Sequence, residues 1–132
     1  EEVEKQFDWY KTGKVNIVHE MIDRHPQHKI ALLIGAQSFT FGDLKKLSSQ
    51  FAHALKKRGI QKGERIALLL PRSPQLYIAF LGILRIGAIP VPLFEAFMEE
   101  AIADRLNDSE TSLLITSAPF LSRIQKKLPM IL

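Results

Sequence analysis

The chain has 132 residues, of which 46% are hydrophobic; this suits one domain, or part of a larger one, with a real core and excludes disorder. Its 18 Lys and Arg against 14 Asp and Glu leave a net charge of +4, which aids solubility and mildly attracts anions without marking a nucleic-acid binder. The absence of cysteine excludes disulfides, thiolate metal sites and cysteine nucleophiles, and fits a cytoplasmic location.

The first fifteen residues, with Phe7, Trp9 and Tyr10, read as an extended arm pinned onto the body by its aromatics. They are too charged for a signal peptide, and no apolar run approaches the roughly 20 residues of a membrane span. "NIVHEMIDRHP" predicts a short helix capped by Asn16, with Ile17, Val18, Met21 and Ile22 inward and a stop before Pro26. "KIALLIG" reads as a buried strand from Lys29 to Ile34, "AQS" as a turn, and "FTF" as a short second strand.

The next helix has the clearest start. Thr40 stands three residues before Asp43, close to a capping box, with Phe39 and Leu44 at the staple positions. Leu44, Leu47, Phe51 and Leu55 form one apolar stripe, and Gly59 ends the helix. Lys45, Lys46, Lys56, Lys57 and Arg58 read as its solvated face. Ile66 to Leu70 do not alternate, as in a strand covered on both faces. Ser73 and Pro74 supply the cap and first position of another helix, with Leu76, Tyr77, Phe80, Leu81 and Leu84 inward and Gly87 at its end.

"AIPVPLF" is a strand whose two prolines favour an edge. A helix follows over "MEEAIADRLNDSE", with Ala101, Ile102 and Leu106 inward; "TSLLITS" is a strand, and Pro119 to Lys127 another helix. The apolar Pro129 to Leu132 reads as the start of a further strand. The alternation predicts an α/β fold, a mostly parallel sheet with helices on both faces. Strand order is not readable.

No Gly-x-Gly-x-x-Gly turn, triphosphate-cradling loop or Gly-x-Ser-x-Gly elbow is present. His25 and His28 straddle Pro26 on an exposed corner, too few ligands for a metal site, and His53 lies off its helix's apolar stripe. Arg72 falls at the carboxyl end of a central strand. It reads either as a contact for phosphate or carboxylate or as a surface arginine in a turn. In "LFEAFMEE", Phe94 and Phe97 bracket Glu95 and Ala96: an apolar wall for a ligand, or two rings plugging the following helix. No acid, base and nucleophile are partnered.

Three stretches carry a resemblance: the "TF-x-x-L" helix start, "KGERIALLLPRSPQLYIAFLGILRIGAIPVPL", and the "F-x-x-F-x-x-E-A-I-x-x-R-L-x-D-S" that follows. From about Phe7 to Thr116 the chain resembles AMP-forming acyl-CoA ligases of the adenylate-forming superfamily, acetyl-CoA synthetases above all. The resemblance implies a parent enzyme that joins acetate or another short carboxylic acid to CoA through an acyl-adenylate, with ATP, Mg and CoA. Residues 1–132 would be the first part of its large N-terminal α/β domain. By the same resemblance Phe94, Glu95, Ala96 and Phe97 match the loop near the incoming CoA, with Glu95 and Ala96 where the family often has Gly. Arg123 falls where some acetyl-CoA synthetases turn an arginine toward the CoA nucleotide, and Arg105 matches a family arginine with a structural role. The family's phosphate loop, Tyr-x-x-Thr-Glu motif, ribose aspartate and catalytic lysine are not among these residues. The expectation is a piece inactive by itself, with no tightly bound cofactor. The alternative is a stand-alone binding module that covers its sheet edge in a homo-oligomer or against a partner.

Overall fold

A computed structural model describes residues 2–6, 8–125 and 129–131. Phe7, the Tyr10 side chain, Lys126 to Leu128 and Leu132 lie outside the described residues. The N-terminal stretch is not an extended arm: a 3-10 turn over Glu4–Gln6 is followed by helix α1, Asp8–Thr12, on which Trp9 is partly exposed.

The segment after Asn16 turns as a π-helix over His19–Asp23, and the Asn16 carboxamide oxygen accepts from the Val18 N–H at 3.0 Å. Of the four residues expected inward, Val18 and Ile22 are buried against Leu44 and Leu81, whereas Ile17 and Met21 are exposed. So short a turn lays only one row of side chains against the body.

Among the described residues, strands β1, Ile30–Ile34, and β2, Gln37–Thr40, pair only with each other, antiparallel, across Gly35 and Ala36. The turn is therefore Gly35-Ala36, with Gln37 and Ser38 already in the strand. The buried strand expected here is a half-exposed hairpin. The register slips between Ile30 and Leu32. This bulge turns the neighbours Ala31 and Leu32 the same way, into a groove, and leaves Ile30 and Leu33 60% and 69% exposed.

Helix α2, Phe41–Lys57, begins with the full capping box: the Thr40 hydroxyl accepts from the Asp43 N–H at 3.1 Å and the Asp43 carboxylate accepts from the Thr40 N–H at 2.9 Å. The Thr40 N–H, and with it the Thr40 hydroxyl, donates to the Asp43 carboxylate and holds its carboxyl below the usual range. Leu44 and Leu55 are buried as expected, but the centre of the stripe is Ser48 and Ala52, with Leu47 and Phe51 at its margins. Helix α3, Pro74–Arg85, starts at Ser73, whose hydroxyl accepts from the Leu76 N–H. Both helices end alike. Gly59 (φ +85°) and Gly87 (φ +75°) take the left-handed position, and the next residue's N–H closes back on Leu55 or Ile83.

The main sheet is parallel, in the order β4-β3-β5-β6. Its strands are β3, Arg65–Leu69; β4, Ile89–Pro92; β5, Leu113–Thr116; and β6, Met130–Ile131. β3 is central, and the proline-bearing β4 is an edge. Alternate residues of β3 feed two cores. Ile66 and Leu68 pack with Leu55, Ala79 and Ile83 of α2 and α3. Ala67 and Leu69 pack with Ile102 and Leu106 of helix α4, Glu99–Asp108. Helices thus cover both faces. Tyr77 is 39% exposed rather than inward, because α3 turns its small residues, Ala79 and Gly82, and Ile83 into the interior. The last helix expected is only a 3-10 segment, Ala118–Arg123.

Candidate functional site

Parallel pairing brings the carboxyl ends of β3, β4 and β5 to one edge. After β3 the chain enters α3 on one face; after β5, Phe120 and Ile124 pack on the other. The neighbours β3 and β5 therefore form the point where connections diverge, the place where open α/β sheets open a crevice. The edge is held closed locally: the buried Thr116 hydroxyl donates to the Leu69 carbonyl at 3.0 Å. Arg72 lies here, exposed, with no hydrogen-bond or ion-pair partner among the described residues. A hollow of about 390 Å³ opens on the α3 face, with Leu70, Gln75, Thr116 and Ser117 in its wall.

Beyond β4 the Leu93 N–H donates to the Leu68 carbonyl at 2.8 Å and fixes where the chain leaves the sheet. A tight turn follows, closed by the Phe97 N–H donating to the Phe94 carbonyl at 3.0 Å. Its two rings part company. Phe97 is half-buried against the α4 core, while Phe94 is 62% exposed. They meet edge to face, with centroids 5.7 Å apart at 89°. Phe97 thus plugs the helix that follows, and Phe94 does not. Glu95 and Ala96 are exposed at the tip, and the Glu95 carboxylate has no partner among the described residues.

Two arginines hold the turn. The Arg105 guanidinium lies 4.0 Å from the centre of the Phe97 ring and donates to the Ala101 carbonyl at 2.9 Å. Arg123 Nη1 donates to the Glu95 carbonyl at 2.7 Å and, at 3.5 Å, to that of Phe97. The structure so gathers Phe94, Glu95, Ala96, Phe97 and Arg123 in one place, with Arg72 along the same edge. Sequence reasoning missed the second tie between these segments, from the Gln125 amide to the Glu99 carboxylate. No local signal announces a pair 26 residues apart.

A larger groove, about 420 Å³, lies between the hairpin and α3, bounded by Met21, Leu32, Leu44, Tyr77, Phe80 and Pro92. No charged side chain lines it, so it has little with which to orient a reacting group. Among the described residues no three His, Asp or Glu side chains are placed to hold a metal, and no helix is long and apolar enough to cross a membrane.

A parallel sheet with helices on both faces and a braced turn beyond its carboxyl edge defines an open α/β fold. The chain belongs to the AMP-binding enzyme family, whose model matches residues 18–131. It is 43% identical to the acetyl-coenzyme A synthetase of Bacillus subtilis, over 98% of this chain and 26% of that protein. It is 40% identical to that of Pseudoalteromonas translucida, over 83% of this chain and 18% of that one. Among solved structures it is similar to NpsA-ThdA, an artificially fused adenylation-PCP di-domain NRPS from Klebsiella oxytoca. There the TM-score is 0.78 at 27% identity, covering 87% of this chain and 21% of that one. It is similar as well to the anthranilate CoA ligase AuaEII in complex with anthranoyl-AMP. That match has TM-score 0.78 and 28% identity, over 84% of this chain and 22% of the other. The chain thus spans about a quarter, or less, of the length of these proteins.

Proposed function

We propose that this chain is part of an AMP-forming ligase that activates acetate or another short carboxylic acid and passes the acyl group to CoA. In that reaction a carboxylate oxygen attacks the α-phosphorus of ATP, giving an acyl-adenylate and releasing pyrophosphate. The CoA thiol then loses its proton and attacks the acyl carbon, and AMP leaves. The observation that carries this reading is the 43% identity, over nearly the whole chain, to an acetyl-coenzyme A synthetase. The NRPS and anthranilate CoA ligase likenesses support the adenylate step in general and leave the acid open.

These residues serve the second half-reaction in this reading. The exposed Phe94 ring and the slim Ala96 offer a flat, close surface to a nucleotide-bearing thiol, and Arg72 a cation to its phosphates. ATP and Mg fit less well here. No group of carboxylates suits a metal among the described residues, and no glycine-rich loop supplies phosphate donors. No step through them is assigned to this chain.

The test is carboxylate-dependent exchange of labelled pyrophosphate into ATP, with acetate, propionate, butyrate and anthranilate in turn. It is run on residues 1–132 and on the longest product of the gene. Exchange by the long product alone, strongest with acetate, is the expected result. Exchange by neither, with any acid, overturns the ligase reading. Preference for anthranilate overturns the short-acid assignment.

A further inference from the structure

We propose that Arg123 is a positioning residue for the Phe94–Phe97 turn rather than an arm that reaches out to the ligand. This rests on the reading of the turn as a thiol-substrate surface. One nitrogen, Nη1, faces two carbonyls of the same turn, those of Glu95 and Phe97, at 2.7 and 3.5 Å. Carbonyls at such a tip ordinarily point to water, and a guanidinium that collects both fixes the backbone between them, at Ala96. The arginine is itself held from behind, its carbon ζ 5.1 Å from the centre of the Phe120 ring. Next along the chain, the Gln125 amide grips the Glu99 carboxylate at the start of α4. The segment after β5 therefore ties to the turn after β4 and to the start of α4, across 26 to 28 residues of sequence.

Phe97 is pinned between Arg105 and the α4 core, and Phe94 meets it edge-on, so fixing the backbone at Glu95 and Phe97 fixes the direction in which Phe94 faces. A ligand then meets a surface already in place, and the cost of ordering it is not taken from binding. Among the described residues no carboxylate pairs with Arg123, so its charge stays at the site while its reach is used up.

Two measurements test this on Arg123→Ala, Arg123→Gln and Arg123→Lys. In residues 1–132, amide exchange at Phe97 rises roughly tenfold in Arg123→Ala, the loss of one charge-assisted hydrogen bond, while α2 amides keep their rates. Arg123→Lys restores part of the protection. In the longest product of the gene, the KM for CoA rises about tenfold relative to the KM for the carboxylate, and Lys again recovers part. Unchanged exchange at Phe97 in Ala and Gln overturns the brace. Faster exchange with equal change in both KM values overturns the positioning role. If the wild-type long product fails to exchange pyrophosphate, the ligase reading falls and the ligand role with it, while Phe97 still reports separately whether Arg123 holds the turn.

Discussion

Arg85 commits its whole guanidinium to one junction. Nη1 and Nη2 donate to the two Asp23 oxygens at 2.8 and 2.6 Å, and Nε donates to the Ser48 hydroxyl at 2.8 Å. Ser48 in turn donates to the Leu44 carbonyl, so one arginine ties α3 to α2 and to the π-turn. Bonding to Arg85, reinforced by its charge, holds the Asp23 carboxyl below its usual 3.8, against the opposing pull of burial. The unfolded chain therefore binds the proton more readily than the folded one. The stability this gives is complete above that ordinary value and is lost as pH falls through the lower folded value. Urea midpoints followed from neutral to acid pH are expected to fall less steeply in Asp23→Asn than in the wild type. At neutral pH, Arg85→Ala costs about 2 kcal/mol, since it strands both Asp23 and Ser48; equal stability of variant and wild type would refute the junction.

Among elements, the tightest contact is that between α2 and α3. A Cβ built on Gly82 would lie 2.8 Å from Phe51 Cδ1 and 3.1 Å from the Ser48 carbonyl oxygen. Gly82→Ala is expected to force the helices apart and cost about 1 to 3 kcal/mol, although alanine favours helix; a stabilised variant in urea denaturation would contradict this. The sequence shows why such a contact is hard to foresee. Caps are local, so Thr40, Ser73, Gly59 and Gly87 were readable within a few residues. Gly82, inside a helix that reads as well formed, gives no hint of the partner it admits. The β1 bulge was hidden for a related reason. A continuous apolar run reads the same whether a strand is buried on both faces or kinked so that two neighbours point one way. Of the site, the spacing of Phe94 and Phe97 beyond a strand was legible. That Arg123 reaches this turn depends on the strand order, which one sequence does not reveal.

At the scale of the molecule, the central β3, with β5 beside it, feeds two cores on opposite faces of the sheet. Ile83 belongs to one and Leu106 to the other, and both are essentially buried. Each truncated to alanine is expected to cost roughly 2 to 5 kcal/mol, and the double variant the sum to within about 0.5 kcal/mol, since the two side chains lie in different cores. Urea unfolding checks this; a double variant well short of the sum would mean the faces are coupled through the sheet. The same central placement sets a problem of timing. The hairpin closes across two residues, but Leu69 waits for Thr116, 47 positions later. As the chain is made, Ile66 to Leu70 emerge before either neighbouring strand exists, a sticky run with both edges open. Arg65 stands immediately before it and Pro71-Arg72 immediately after. Charge and proline in those places discourage pairing between nascent chains, so Arg72 guards the newborn strand whatever it later meets at the finished edge.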